Sequence, residues 1–150
     1  MGHGEVTEIL PVPSSVAFDL IHDYPRRLEW DTLLQAAYLD DGHCVAAKGA
    51  TSVCVGRKAL GGIALKTVYI AFDRPVLAAV KMINLPPLFQ SWAASIRHED
   101  ISSAGASRIT YKFSFTARPW MLRFLLDPIL KILFLWETRK RLRALKKYLA

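Results

Sequence analysis

Between residues 107 and 117 apolar and polar side chains alternate: Ile109, Tyr111, Phe113 and Phe115 share one face, and Arg108, Thr110, Lys112, Ser114 and Thr116 the other. That period is a strand's, with one side buried and one wet. Looser versions of the pattern predict strands over 5–10, 35–40, 51–60, 63–73, 76–84 and 89–99. Turn signals separate the later ones: Asp41-Gly42, Gly61-Gly62, Asp73-Arg74-Pro75, Pro86-Pro87 and Ser102 to Gly105. Strands this close in sequence pair antiparallel. The alternation turns inward Val6 with Ile9 or Leu10, then Leu65, Thr67 and Tyr69, then Val76, Ala78, Val80 and Met82, then Trp92, Ala94 and Ile96. An inner face that mixes large aromatics with Ala, Thr and Met can leave room for a ligand instead of filling itself.

Two short helices interrupt the strand pattern early. Pro11 and Pro13 end the first strand, and Ser14 or Ser15 can cap a helix running to about Ile21 on Val16, Phe18, Leu20 and Ile21. Tyr24-Pro25 breaks it, and residues 26–30 read as a second helical turn.

The last third of the chain predicts one long helix over 120–149 whose apolar stripe changes sides. At roughly 100° per residue, Leu122, Leu126, Ile129, Leu133 and Trp136 cluster in the first half, and Phe134, Thr138, Leu142, Leu145 and Leu149 form a nearly opposite stripe in the second. Pro128 removes a backbone donor and clashes one turn back, which predicts a kink or a fresh helix start capped by Asp127. A straight helix gives a different outcome. Asp127 and Lys131 would then lie on the sheet side, while Ile129, Leu133 and Trp136 look outward as a docking patch for a lipid bilayer or a second copy of the chain.

Composition narrows the class. A chain of 150 residues, 52% hydrophobic and 22% charged, is globular and of one domain's length, with no linker-like run or repeat. Arg123, Asp127 and Lys131 cut the apolar run, so the ~20 residues of a bilayer span are not reached. The amino terminus lacks the order of a secretory signal, which predicts a cytoplasmic protein that at most touches a membrane surface. Much of the net charge of +7 falls in Arg139, Lys140, Arg141, Arg143, Lys146 and Lys147. Such a cluster is first a solvated helical face that complements the helix dipole, and second an attractor for anionic lipid or RNA. No zinc-finger spacing, RNP signature or helix-turn-helix pattern accompanies it, which argues against sequence-specific nucleic-acid binding. Cys44 and Cys54 predict free thiols, since they are too few for a metal site and a cytosolic pair stays reduced. His3, His22, His43 and His98 are scattered, so no metal is expected.

The order strand, two short helices, six strands and one long helix is that of the helix-grip fold, an α+β architecture. The chain also resembles the SRPBCC superfamily, which includes START lipid-transfer domains, birch-pollen-allergen-like proteins and polyketide cyclase/dehydrase-like proteins. Residues 9–31 (ILPVPSSVAFDLIHDYPRRLEWD), the strand 54–58 and residues 137–149 (ETRKRLRALKKYL) carry the resemblance. It implies a curved antiparallel sheet gripping the final helix around an apolar cavity that opens near the helix start. By position the cavity residues would be Trp30, Tyr69, Met82, Trp92, Tyr111, Phe113, Phe124 and Ile129. Each is equally a core residue by type, because aromatics carry much of a core's burial.

These readings lead to binding or carriage of a hydrophobic small molecule or lipid, with no cofactor. Nucleophile elbows, phosphate loops and GxGxxG fingerprints are absent. A polyketide cyclase/dehydrase-type enzyme is the first alternative, which the resemblance implies would shape a flexible ligand with help from an acid–base side chain. His98, Tyr69 and Tyr111 are its candidates, with Thr67, Arg57 and Asp127 as further polar groups. Each has a plainer role: His98 as a strand-end surface residue, Arg57 as a solvated cation, Asp127 as half of an i,i+4 ion pair with Lys131. A module that docks on a membrane or partner through the basic helix end and the Leu133/Trp136 face is the second alternative.

Overall fold

A computed structural model describes residues 2–101 and 105–150. Ser102, Ser103 and Ala104, on which part of the expected last turn falls, lie outside the described residues. Seven strands, β1 (Gly2–Leu10), β2 (Leu34–Asp40), β3 (Thr51–Gly56), β4 (Ala64–Asp73), β5 (Leu77–Met82), β6 (Phe89–Ile101) and β7 (Ala106–Ala117), form one sheet in the order β1-β7-β6-β5-β4-β3-β2. Every neighbouring pair is antiparallel. Helix α1 (Ser14–Ile21) and a 3-10 turn (Tyr24–Glu29) follow β1, and helix α2 (Arg123–Leu149) closes the chain. This is the helix-grip architecture.

Alternation sets which side of the sheet is covered. Ile109, Tyr111, Phe113 and Phe115 of β7 are all buried, and they meet Leu130, Leu142 and Leu145 of α2 in the main core. Helix α2 packs on β1 and β7. Close approach there needs glycine: a Cβ on Gly4 would stand 2.7 Å from both the Leu135 and Phe113 side chains. Rings of Phe89, Phe113, Phe115 and Phe134 meet at centroid distances of 5.5–6.3 Å, contacts worth about 0.5–1.5 kcal/mol each beyond their area. A second cluster joins Phe18 of α1 to Tyr24, Tyr69 and Ala78.

Three local expectations change. Strand β3 stops at Gly56, and residues 58–60 form a 3-10 turn that leads into Gly61, whose φ of 89° suits glycine. Neither Ser14 nor Ser15 caps α1 through its own side chain. Instead the Asp100 carboxylate of β6 accepts from Ser14 N–H at 2.8 Å and from its hydroxyl at 3.1 Å, a cap supplied from across the fold. Helix α2 runs through Pro128 from Arg123, where a fresh start after Asp127 was one expectation. Pro128, the sixth residue of the helix, forgoes the bond its nitrogen would otherwise give to the Phe124 carbonyl. The Asp127 carboxylate accepts from Ala117 N–H at 3.1 Å and ties the helix start to the end of β7.

Candidate functional site: an apolar cavity beneath the long helix

Because α2 lies over β1 and β7, the inner faces of β3, β4, β5 and β6 are not fully covered by it. The space left there is a cavity of about 180 Å³. Leu65, Val80, Ala94 and Ile96 line it from the sheet, and Leu130, Leu133 and Phe134 from α2. Most of its wall is apolar. Leu88 and Leu133 both line the cavity and keep solvent exposure, at 38% each, so they mark its mouth. Leu88 holds a left-handed backbone (φ 74°), a conformation costly for a residue with a side chain.

Polar groups gather at the other end. Tyr69 of β4 shares hydrogen bonds with His22 Nδ1 at 2.7 Å and with the Tyr24 hydroxyl at 2.8 Å. The Ser52 and Thr67 hydroxyls share another at 2.8 Å. Burial raises the Tyr69 hydroxyl pKa well above its usual 10, with Tyr24 adding to the effect, and burial also raises that of Tyr24. Burial, with help from the Arg27 charge, pushes His22 down to about 3. All three groups are therefore neutral near pH 7. They form a chain of oriented dipoles suited to fixing a polar group on a ligand. Cys54 is a free thiol whose pKa burial raises, which keeps it protonated and inert.

A buried ion cluster closes this side of the cavity. Asp31 accepts from Arg27 Nε at 2.9 Å and from Arg141 Nε and Nη2 at 3.0 and 2.9 Å. Burial alone would raise the Asp31 pKa, but the charges of Arg141 and Arg27 and their hydrogen bonds hold it at about 2. Arg27 and Arg141 also stack on aromatic rings, Trp30 at 5.3 Å and Tyr111 at 5.5 Å. Both arginines reach the cavity wall. Glu137, also in the wall and 2% exposed, accepts from Arg57 Nη2 at 3.0 Å through Oε1, while its Oε2 has no hydrogen-bond partner.

Among the residues named from sequence, Tyr69, Trp92 and Tyr111 line the cavity together. Trp30 lines a separate, much smaller void with Arg27 and Ile109, and Trp30 and Phe113 both belong to the main core. Met82 packs against that core without reaching the cavity wall. Phe124 and Ile129 are 74% and 60% exposed, on the outer side of α2. His98 is 2% exposed, where a surface position was expected; it packs against the Phe18 ring outside the cavity, and burial lowers its pKa to about 4. Arg57, expected to be solvated, is paired with Glu137.

His22, Tyr24, Arg27 and Glu137 were missed. Their signal is partial at best. Arg141, one turn after Thr138, lies close to the inward stripe of α2, so its phase points toward the sheet, but its charge argued for solvent.

No protein-family model matches the chain, and no curated protein sequence does. Solved structures do. A START superfamily protein from Mycobacterium smegmatis matches with TM-score 0.80 at 7% identity, over 99% of this chain and 97% of its own. The Zhui aromatase/cyclase from Streptomyces sp. R1128 matches with TM-score 0.80 at 11% identity, over 97% and 92%. The protein XoxI from Bacillus cereus matches with TM-score 0.78 at 15% identity, over 99% and 96%. At such identities the likeness is one of fold: this chain has the helix-grip fold shared by START and aromatase/cyclase structures.

Proposed function

We propose that the protein binds and carries a hydrophobic small molecule in the cavity between the sheet and α2. The observation that carries this reading is the apolar wall with a mouth at Leu88 and Leu133 and polar groups at its inner end. Burying apolar surface yields roughly 25 cal/mol per Å², so such a site needs no covalent chemistry to hold its ligand. A cavity of about 180 Å³ compares with the ~150 Å³ apolar void known to admit benzene, so one ring system or a short acyl segment is the right scale. Tyr69 and Trp92 would supply hydrogen bonds that orient it.

Native mass spectrometry after gentle purification should find a co-purifying apolar molecule. Purified and delipidated protein should also enhance the fluorescence of 1-aminoanthracene, and Ala94→Phe, which fills the cavity, should abolish that enhancement while the fold persists. Probe uptake unchanged by Ala94→Phe would overturn the reading.

The Tyr24–Tyr69–His22 chain favours a second reading, proton handling on the bound molecule. It predicts that Tyr69→Phe slows conversion of the recovered molecule while leaving its affinity nearly intact. Equal losses in both would assign Tyr69 to binding alone.

A further inference from the structure

The outer side of the first half of α2 is strongly apolar. Leu125, Ile129, Ile132 and Trp136 follow one another at helical spacing and are 52%, 60%, 68% and 57% exposed. Trp120 and Phe124, just before and at the helix start, are 72% and 74% exposed. The segment before β6 joins them: Arg118 binds the carbonyls of Leu85 and Pro86, its N–H donates to Leu88 O at 3.0 Å, and Leu85 is 60% exposed. This lip adjoins the cavity mouth, because Leu88 and Leu133 belong to both. Large contiguous apolar patches left exposed mark contact surfaces.

Charge identifies what covers it. From residue 118 to the end of the chain the only carboxylate side chains are Asp127 and Glu137, and both are buried. Residues 83–88 carry none. Lys131 is exposed beside the apolar row, and the Lys140 ammonium lies 5.1 Å from the centre of the Trp136 ring. The two segments that form the lip are therefore apolar with cations at their edge and expose no side-chain carboxylate of their own, while the exposed Glu5 of β1 shares a surface groove with Lys131. A second copy would set cations against cations in two chains of +7 each. An anionic bilayer complements them, and exposed tryptophans favour the headgroup boundary.

We propose that this lip seats on an anionic lipid bilayer with the cavity mouth turned toward it. The inference goes beyond the ligand-carriage reading and holds whether or not the cavity is loaded. It also relocates the docking face: the Trp136 side of α2 is used together with the helix start, whereas at the basic C-terminal end Arg141 is buried on Asp31.

The test is flotation of the full chain with vesicles. Binding to mixed phosphatidylcholine–phosphatidylglycerol vesicles is expected at about 0.1 M salt, with much weaker binding to phosphatidylcholine alone and at about 0.5 M salt. Phe124→Ser with Ile132→Ser should cut the bound fraction at least about tenfold. Val45→Ser, at an equally exposed apolar residue in the β2–β3 connection, should leave it unchanged. Both variants should keep 1-aminoanthracene uptake, which separates this inference from the cavity reading. Failure to float with anionic vesicles at low salt would overturn the proposal. So would a dimer in sedimentation that the double substitution dissociates, since a second copy would then own the face.

Discussion

The two halves of α2 are built in opposite senses. In its first half the exposed positions include Phe124, Leu125, Ile129, Ile132 and Trp136 beside a single lysine, Lys131, while a carboxylate, Asp127, is buried together with Leu130. In its second half the exposed positions include Arg139, Arg143, Lys146 and Lys147, and the buried ones combine Leu142 and Leu145 with Glu137, Thr138 and Arg141. Residue type therefore predicts location poorly in this helix. Position on the helical wheel and the presence of a partner predict it better: Arg141 is inside because Asp31 is there, and Asp127 is inside because the Ala117 N–H needs an acceptor.

Removing a partner from the buried half should have the largest effect. Asp31→Asn leaves Arg27 and Arg141, both 7% exposed, without a countercharge. Breaking a buried pair this way costs about 3–5 kcal/mol. Urea unfolding should show that loss, and a cost below ~1 kcal/mol would mean the cluster is solvated and the contrast between the halves is false. Leu145, at 0% exposure, sharpens the same point through packing alone: Leu145→Ala should cost about 2–4 kcal/mol in the same assay.

The sequence made the fold legible where alternation was clean and left the site half-hidden where charge and phase disagreed. Strand β7, the Leu65–Thr67–Tyr69 face and the Trp92–Ala94–Ile96 face follow directly from period-two patterning, and the change of stripe along α2 follows from the helical period. The Asp31–Arg27–Arg141 cluster was not legible, because Arg141 stands 110 residues after Asp31 and each member by itself reads as surface. His22 next to Tyr69 is a similar case: they are 47 positions apart in sequence with no local signal between them, and only the tertiary fold joins them. Arg57 with Glu137 was hidden for the same reason.

The charged cluster should also be quiet over the pH range in which other buried groups respond. Asp31 has a folded pKa of about 2 against 3.8 when unperturbed, so its contribution is complete above about 4 and is lost only as pH falls toward 2. His22 and His98 behave otherwise. Their folded values of about 3 and 4 lie below the ordinary 6.5, so below pH 6.5 the unfolded chain takes up protons that the folded chain refuses. Stability should therefore fall as pH drops from about 6.5 toward 4, by on the order of 1 kcal/mol per histidine at about pH 5.5. His98→Leu should flatten that slope by roughly half. A slope undiminished in both His98→Leu and His22→Leu would locate the acid sensitivity elsewhere.

The smallest effect should come from the residue that looks most like core. Ile132 is a large aliphatic side chain in the middle of the longest helix, yet it is 68% exposed. Ile132→Ser removes little buried surface, and the change in helix propensity is a few tenths of a kcal/mol, so stability should move by no more than about 0.5 kcal/mol. The same substitution in the second half, at Leu142 with 4% exposure, would leave a void and a hydroxyl in the core. If Ile132→Ser destabilised the monomer as much as a core change, the outer face of α2 would have to be covered by the chain itself. A near-zero effect on unfolding, together with the loss of vesicle binding in the double variant, would show that isoleucine is retained there for contact with something outside the fold.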